Sequence, residues 1–211
     1  MSQSLLAGNG ALLVREIAIA RGVQRALGRL YQLDLDHEVE DYVSHARGDE
    51  REALLVREHA DGALELALRI PAMARGDLDL ADAAHLDPLC QIIEGVSHFV
   101  YVTDRAARGG ETTQLELELQ AEVDKYVVLA GIFGCSDVAA SAALRARLFD
   151  DVRYTHDETT ELGARYRTAN TVANRFLRRL ERSHVARCLW GEMRSELRRF
   201  FFMSQADKLR V

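Results

Sequence analysis

Apolar side chains recur at helical spacing through the chain beyond Asp87. Leu89, Ile92, Ile93, Val96, Phe99 and Val100 fall within an arc of about 120° at 3.6 residues per turn, the stripe of an amphipathic helix. Asp87-Pro88 offers an N-cap followed by proline at the first helical position, and Gly109-Gly110 stops the helix. Thr113 and Glu116 have capping-box spacing and open a second helix, with Leu115, Leu119, Val123, Tyr126, Val127 and Ala130 on one face. The alternation Leu115–Leu119 would suit a strand, but it lasts five residues and the helix prevails on length. Gly131 and Gly134 predict a loop, and Ser136 or Asp137 caps a third helix running to about Phe149. The polar stretch Asp150–Glu158 leads to a long helix from about Thr159, broken at Ser183 or Gly191, and Ser204 can cap a last short one.

The first third follows another pattern. Ala53–Arg57 and Ala63–Ile70 flank His59-Ala60-Asp61-Gly62, and alternating side chains around Asp-Gly predict a β-hairpin closed by Pro71. Two short helices are the competing reading, since Leu, Ala and Glu favour helix. Ala11–Val23 fits either helix or strand. The fold expected is therefore α+β and predominantly α-helical, with a small antiparallel hairpin in the N-terminal third. It is read as one domain over 1–211, with a further division into a mixed part (1–80) and a helical part (81–211).

Charge changes the picture more than composition does. Residues 1–160 hold 28 acids and 15 bases, a net of −13, while residues 161–211 hold 5 acids and 12 bases, a net of +7. An acidic body carrying a basic segment is a statement about partners rather than fold. Only Lys125 and Lys208 are lysines, a bias that genome composition can impose as readily as function. No apolar run approaches the ~20 residues of a membrane span, and the start Met1–Leu6 lacks the features of a signal peptide. Cys90, Cys135 and Cys188 are odd in number and widely spaced, so they read as buried thiols of a cytoplasmic protein rather than a disulfide or zinc framework.

Two constellations could carry chemistry. Glu94, His98, Tyr101 and Arg105 stack opposite the apolar stripe of their helix; they form either a solvated face or, if covered, a proton-transfer or ligand-binding row. Glu118 and Glu122 repel one another a turn apart, and need relief from Lys125 or an arginine of the C-terminal segment. Glu94, His98, Glu118 and Glu122 are accordingly the residues a metal would use. Glu181–His184 and Asp82–His85 have E-x-x-H-like spacing, but two such matches are close to chance in a chain with 33 acids. Tyr154–Glu158 reads as a loop leading into a helix N-cap. No nucleophile elbow, P-loop, HExxH or dinucleotide-binding turn is present, so no catalytic residue and no cofactor is assigned.

The second constellation is basic. Arg175, Arg178, Arg179 and Arg182 occupy one helical face, followed by Trp190, Arg194 and Arg198 and by Phe200–Met203. Arginine beside apolar anchors is the composition of interface centres. The expected function is therefore non-enzymatic: an adaptor or regulatory protein that binds an acidic protein surface, or its own acidic body in a homo-oligomer. Nucleic-acid binding by the same arginines is the alternative, and a metal-binding or acid/base enzyme at Glu94/His98 with Glu118/Glu122 is the third reading. Internal pairing of these arginines would make them structural.

Overall fold

In the computed structural model the residues described are 14–48, 50–60, 62–74, 76–79, 81–134, 137–152, 154 and 156–211. The fold is α+β and mostly helical. Helix α1 (Val14–Tyr31) leads through a 3-10 turn at Val39–Asp41 to strands β1 (Val43–His45), β2 (Ala53–Glu58) and β3 (Leu64–Ile70). Helices α2 (Ala83–Ala107), α3 (Gln114–Phe133), α4 (Val138–Phe149), α5 (Glu161–Ser183), α6 (Trp190–Phe202) and α7 (Gln205–Lys208) follow.

The hairpin forms as the sequence predicts. β2 and β3 pair antiparallel from Ala53 with Arg69 to Glu58 with Leu64, and Gly62 takes the positive φ that the turn requires. Asp61 itself lies outside the described residues. β1 was not anticipated. It pairs in parallel with β3, giving the order β1-β3-β2, and three residues are too few to show a period. The ambiguous N-terminal segment is helix α1 from Val14, residues 11–13 being outside the description, as are Met1–Leu6, Cys135, Ser136 and Thr155.

Most helix boundaries follow from caps. Thr113 and Glu116 form the capping box, Asp137 caps α4, Thr160 caps α5 and Ser204 caps α7. Two boundaries differ. The α2 helix starts a turn before the expected cap, because the Asp82 carboxylate accepts from the Ala84 N–H; Pro88 then lies inside the helix. Gly131 stays helical, and α3 ends at Gly134 in the left-handed conformation.

A continuous apolar core joins α1, β1, β3 and α2 through α6. Helices α2 and α3 lie at its centre and are covered on more than one side. One polar network buried there ties the C-terminal turn to them. Tyr31, Ser97 and Gln120 donate to the Asp124 carboxylate, and the fully buried Lys208 donates to the Tyr101 hydroxyl (3.1 Å) and the Gln120 carbonyl (2.9 Å). Ring stacking of Tyr31 on Phe201 and of Phe176 on Phe200 closes the same region. Among the described residues no helix is long and apolar enough to cross a membrane.

Candidate functional site

The polar row of α2 is covered, and it divides. Tyr101 and Arg105 turn towards the C-terminal turn: Arg105 donates to the Tyr101 hydroxyl (2.6 Å) and to the Met203 carbonyl (3.1 Å). Glu94 and His98 turn instead towards α3. There one ligand atom from each of Glu94, His98 and Glu118 lies within 4.8 Å of the other two. The sheet reaches the same place because Gly95 lets it approach: a Cβ on Gly95 would sit 2.8 Å from Leu68 Cδ1 and 3.6 Å from Glu52 Cγ. Gln91 fixes Glu52 by accepting from its backbone N–H.

The result is four carboxylates in a small space, from Glu52, Glu94, Glu118 and Glu122. Lys125 Nζ donates to Glu94 Oε2 and to Glu122 Oε1, each at 3.0 Å. Arg165, from the C-terminal segment, brings its Nε to 3.9 Å from Glu118 Oε1. Both sources of relief anticipated for the Glu118/Glu122 pair are thus present. Glu52 was missed, since a lone acid one residue before a strand carries no periodic signal.

The electrostatics are those of a buried charge cluster. Burial and the neighbouring Glu94 charge push the Glu118 and Glu52 carboxyls each up to about 8. Burial raises Glu122 as well. For Glu94 burial acts upward too, but the Lys125 ammonium and His98 hold it below the usual carboxylate range. Burial depresses His98, and Lys125 is raised against its burial by Glu122 and Glu94.

His98 is the informative member. Its ring hydrogen-bonds the backbone at Leu117, while its Nε2 is shielded from solvent and has no hydrogen-bond partner. A donor bond from one ring nitrogen fixes the tautomer and leaves the lone pair of the other unused, as a metal-ligating histidine requires. Two further polar atoms of the cluster, Glu52 Oε2 and Arg165 Nε, also lack hydrogen-bond partners.

Beside the cluster opens a cavity of about 150 Å³, walled by Arg51, Glu94, Glu122, Lys125, Tyr154, His156, Tyr166 and Asn170. His156 stacks on Tyr166 with ring centroids 5.9 Å apart, and Arg167 lies over the Tyr154 ring. The segment that reads as a simple loop therefore forms one wall of the opening. Asp157 and Thr160 still perform the capping at its end.

The other candidate residues lie elsewhere. Glu181 is bonded by Arg145 Nε and the Ser141 hydroxyl, both at 2.8 Å, which makes it a structural partner of α4. Asp82 is spent on its helix cap. Cys90 is half-buried with its thiol pushed up by burial to about 12, whereas Cys188, expected to be buried, is exposed at a left-handed turn.

Arg175, Arg178, Arg179 and Arg182 all lie exposed on the outer face of α5 and line one open groove. Three of them have partners nearby. Arg175 donates to the Leu209 carbonyl (2.8 Å), Arg178 lies 3.8 Å from Asp150, and Arg179 lies 3.5 Å from Glu196. Arg198 is turned inward to the Leu30 carbonyl (2.6 Å) and belongs to the packing of α6 on α1. Trp190 is half-buried and Arg194 exposed at the start of α6, beside an apolar recess that includes Leu30, Tyr126 and Leu180.

Fold and cluster together define a helical protein with a buried carboxylate–histidine centre. No protein-family model, curated protein or solved structure matches the chain.

Proposed function

We propose that the protein holds a divalent transition-metal ion between α2 and α3, with Glu94, His98 and Glu118 as ligands, and that this centre acts on a small polar molecule admitted through the adjoining cavity. Two observations carry this reading: a ring nitrogen of His98 lies within 4.8 Å of a carboxylate oxygen of Glu94 and of Glu118, and the buried Nε2 of the same ring has no hydrogen-bond partner. An imidazole with two carboxylates suits zinc, manganese or iron(II). Three protein ligands leave room in the coordination sphere for water or substrate, where such an ion polarises an oxygen or lowers the pKa of bound water. Binding would drive the proton from Glu118, so that the carboxylate becomes a ligand.

The test is metal analysis of untagged protein after dialysis against zinc, manganese(II) and iron(II) in turn. The expected result is one tightly held ion per chain, with affinity lowered by at least ~10–100-fold in His98→Ala and Glu118→Gln. A folded wild-type chain that takes up none of the three sinks the proposal.

The exposed arginines of α5 favour a second reading, an adaptor that captures an acidic macromolecule. It concerns another face of the molecule and is compatible with the first.

A further inference from the structure

Lys125 is the one cation hydrogen-bonded inside the cluster among the described residues, and the metal reading leaves it without a role. Its Nζ stands 3.0 Å from both Glu94 Oε2 and Glu122 Oε1, and its side chain is only 12% exposed. Glu94 is thus shared: it belongs to the group with His98 and Glu118 and also binds the ammonium. Glu52 adds a second observation. Its side chain is 8% exposed, its Oε2 has no hydrogen-bond partner, and Arg51 Nε stands 3.8 Å from that oxygen. Glu94 and Lys125 are both close enough to act on its carboxyl.

Sites that hold two metal ions place them about 3.5–4 Å apart, with carboxylates serving both. Here one ammonium takes two of the carboxylates and leaves a third with an unused oxygen. We propose that the Lys125 ammonium occupies the position of a second metal ion, so that Glu94 bridges metal and ammonium, the centre is mononuclear by construction, and removal of the ammonium opens a second divalent-cation site on Glu94 and Glu122, with the Glu52 carboxyl nearby. This rests on Glu94, His98 and Glu118 being metal ligands. A fixed monovalent charge at that position balances Glu94 and Glu122 without offering a second Lewis acid.

Manganese(II) is the probe, because its paramagnetic resonance distinguishes an isolated ion from an exchange-coupled pair. Wild type, Lys125→Met and Lys125→Arg are titrated with manganese(II), with stoichiometry from elemental analysis and folding from circular dichroism. Wild type and Lys125→Arg are expected to saturate at one ion with an uncoupled spectrum. Lys125→Met is expected to take two, with signal per ion lost to coupling. Two ions in wild type, or one in folded Lys125→Met, overturns the inference while leaving the metal reading intact. No ion in wild type removes both. Should Lys125→Met fold only with manganese present, recovery at two ions per chain supports the inference, and failure to recover with manganese overturns it.

Discussion

Gly163 shows how closely single residues are fitted around the cavity. A Cβ there would meet the Asp157 carbonyl oxygen at 1.9 Å, and that oxygen already accepts from the Thr160 N–H and hydroxyl. Gly163→Ala must displace the loop that carries His156. A loss of about 1–3 kcal/mol is expected, read as a melting temperature lower by several degrees; an unchanged melting curve would mean that the loop yields freely. Legibility in the sequence varied at the same scale. Glu94, His98, Glu118 and Glu122 could be singled out because helical spacing aligns them on two elements. Lys125 and an arginine of the C-terminal segment could be inferred as relief for repelling acids. Glu52 could not, since its place depends on a strand brought against α2 at Gly95. Nor could the parting of Tyr101 and Arg105 from Glu94 and His98, which depends on which neighbour covers each end of the row.

Among the elements, those with chemical punctuation were the readable ones. Caps at Thr113, Asp137, Thr160 and Ser204 place four helix starts, while Asp82 caps α2 ahead of the Asp87-Pro88 signal even though Pro88, then inside the helix, has no N–H to give the Ala84 carbonyl. α3 is buried beyond the apolar face that its spacing shows: Glu118, Gln120 and Asp124 are buried as well as Leu119, so several of its faces meet protein. The shortest helix, α7, is held by Lys208, and this has a pH signature. Burial lowers the Lys208 amine to about 7, against the partial support of Asp124 and Glu116; Arg105 acts in the same direction as burial, and the Tyr101 hydroxyl accepts its hydrogen bond. An unfolded lysine titrates near 10.4, so between these limits the unfolded chain binds the extra proton. Stability from this group therefore rises with pH across that window, by up to about 1.4 kcal/mol per unit. Urea unfolding at pH 7 and 9 should show wild type gaining on Lys208→Met; a constant difference would contradict the assignment.

For the whole molecule, the dominant property is the opposition of an acidic body and a basic segment, and the structure uses that segment in two ways. Arg165 and Arg198 turn inward, whereas Arg175, Arg178, Arg179 and Arg182 remain on the outer face of α5. Surface pairs such as Arg178 with Asp150 are worth little, so they leave the face free to engage a stronger polyanion. The adaptor reading expects capture of an acidic partner, or self-association, that weakens as salt rises from ~50 to ~500 mM and the Debye length falls from roughly 14 to 4 Å. Light scattering with absorbance at 260 and 280 nm on wild type and on Arg178→Glu/Arg182→Glu separates the outcomes. Salt-sensitive association lost in the variant supports an acidic protein surface, whereas excess 260 nm absorbance lost at high salt supports nucleic acid. A monomer free of bound material at both salts, with no acidic partner captured, leaves the arginines as solvated surface.

The way α2 and α3 share the centre also leads one to expect an order of assembly. They are consecutive helices joined by a short connection that ends in the Thr113 cap, so their pairing closes a small loop and needs little search. The bond from Arg198 to the Leu30 carbonyl spans 168 residues and must wait until most of the chain is in place. The expected nucleus is therefore the hairpin of α2 and α3, with α1 and α6 closing late, and φ-values high at Val96 and Leu119 and low at Leu27 and Leu197 would bear this out. Glu94, His98, Glu118 and Lys125, all on that hairpin, would meet early, and Glu52 and Arg165 would reach them as the fold completes.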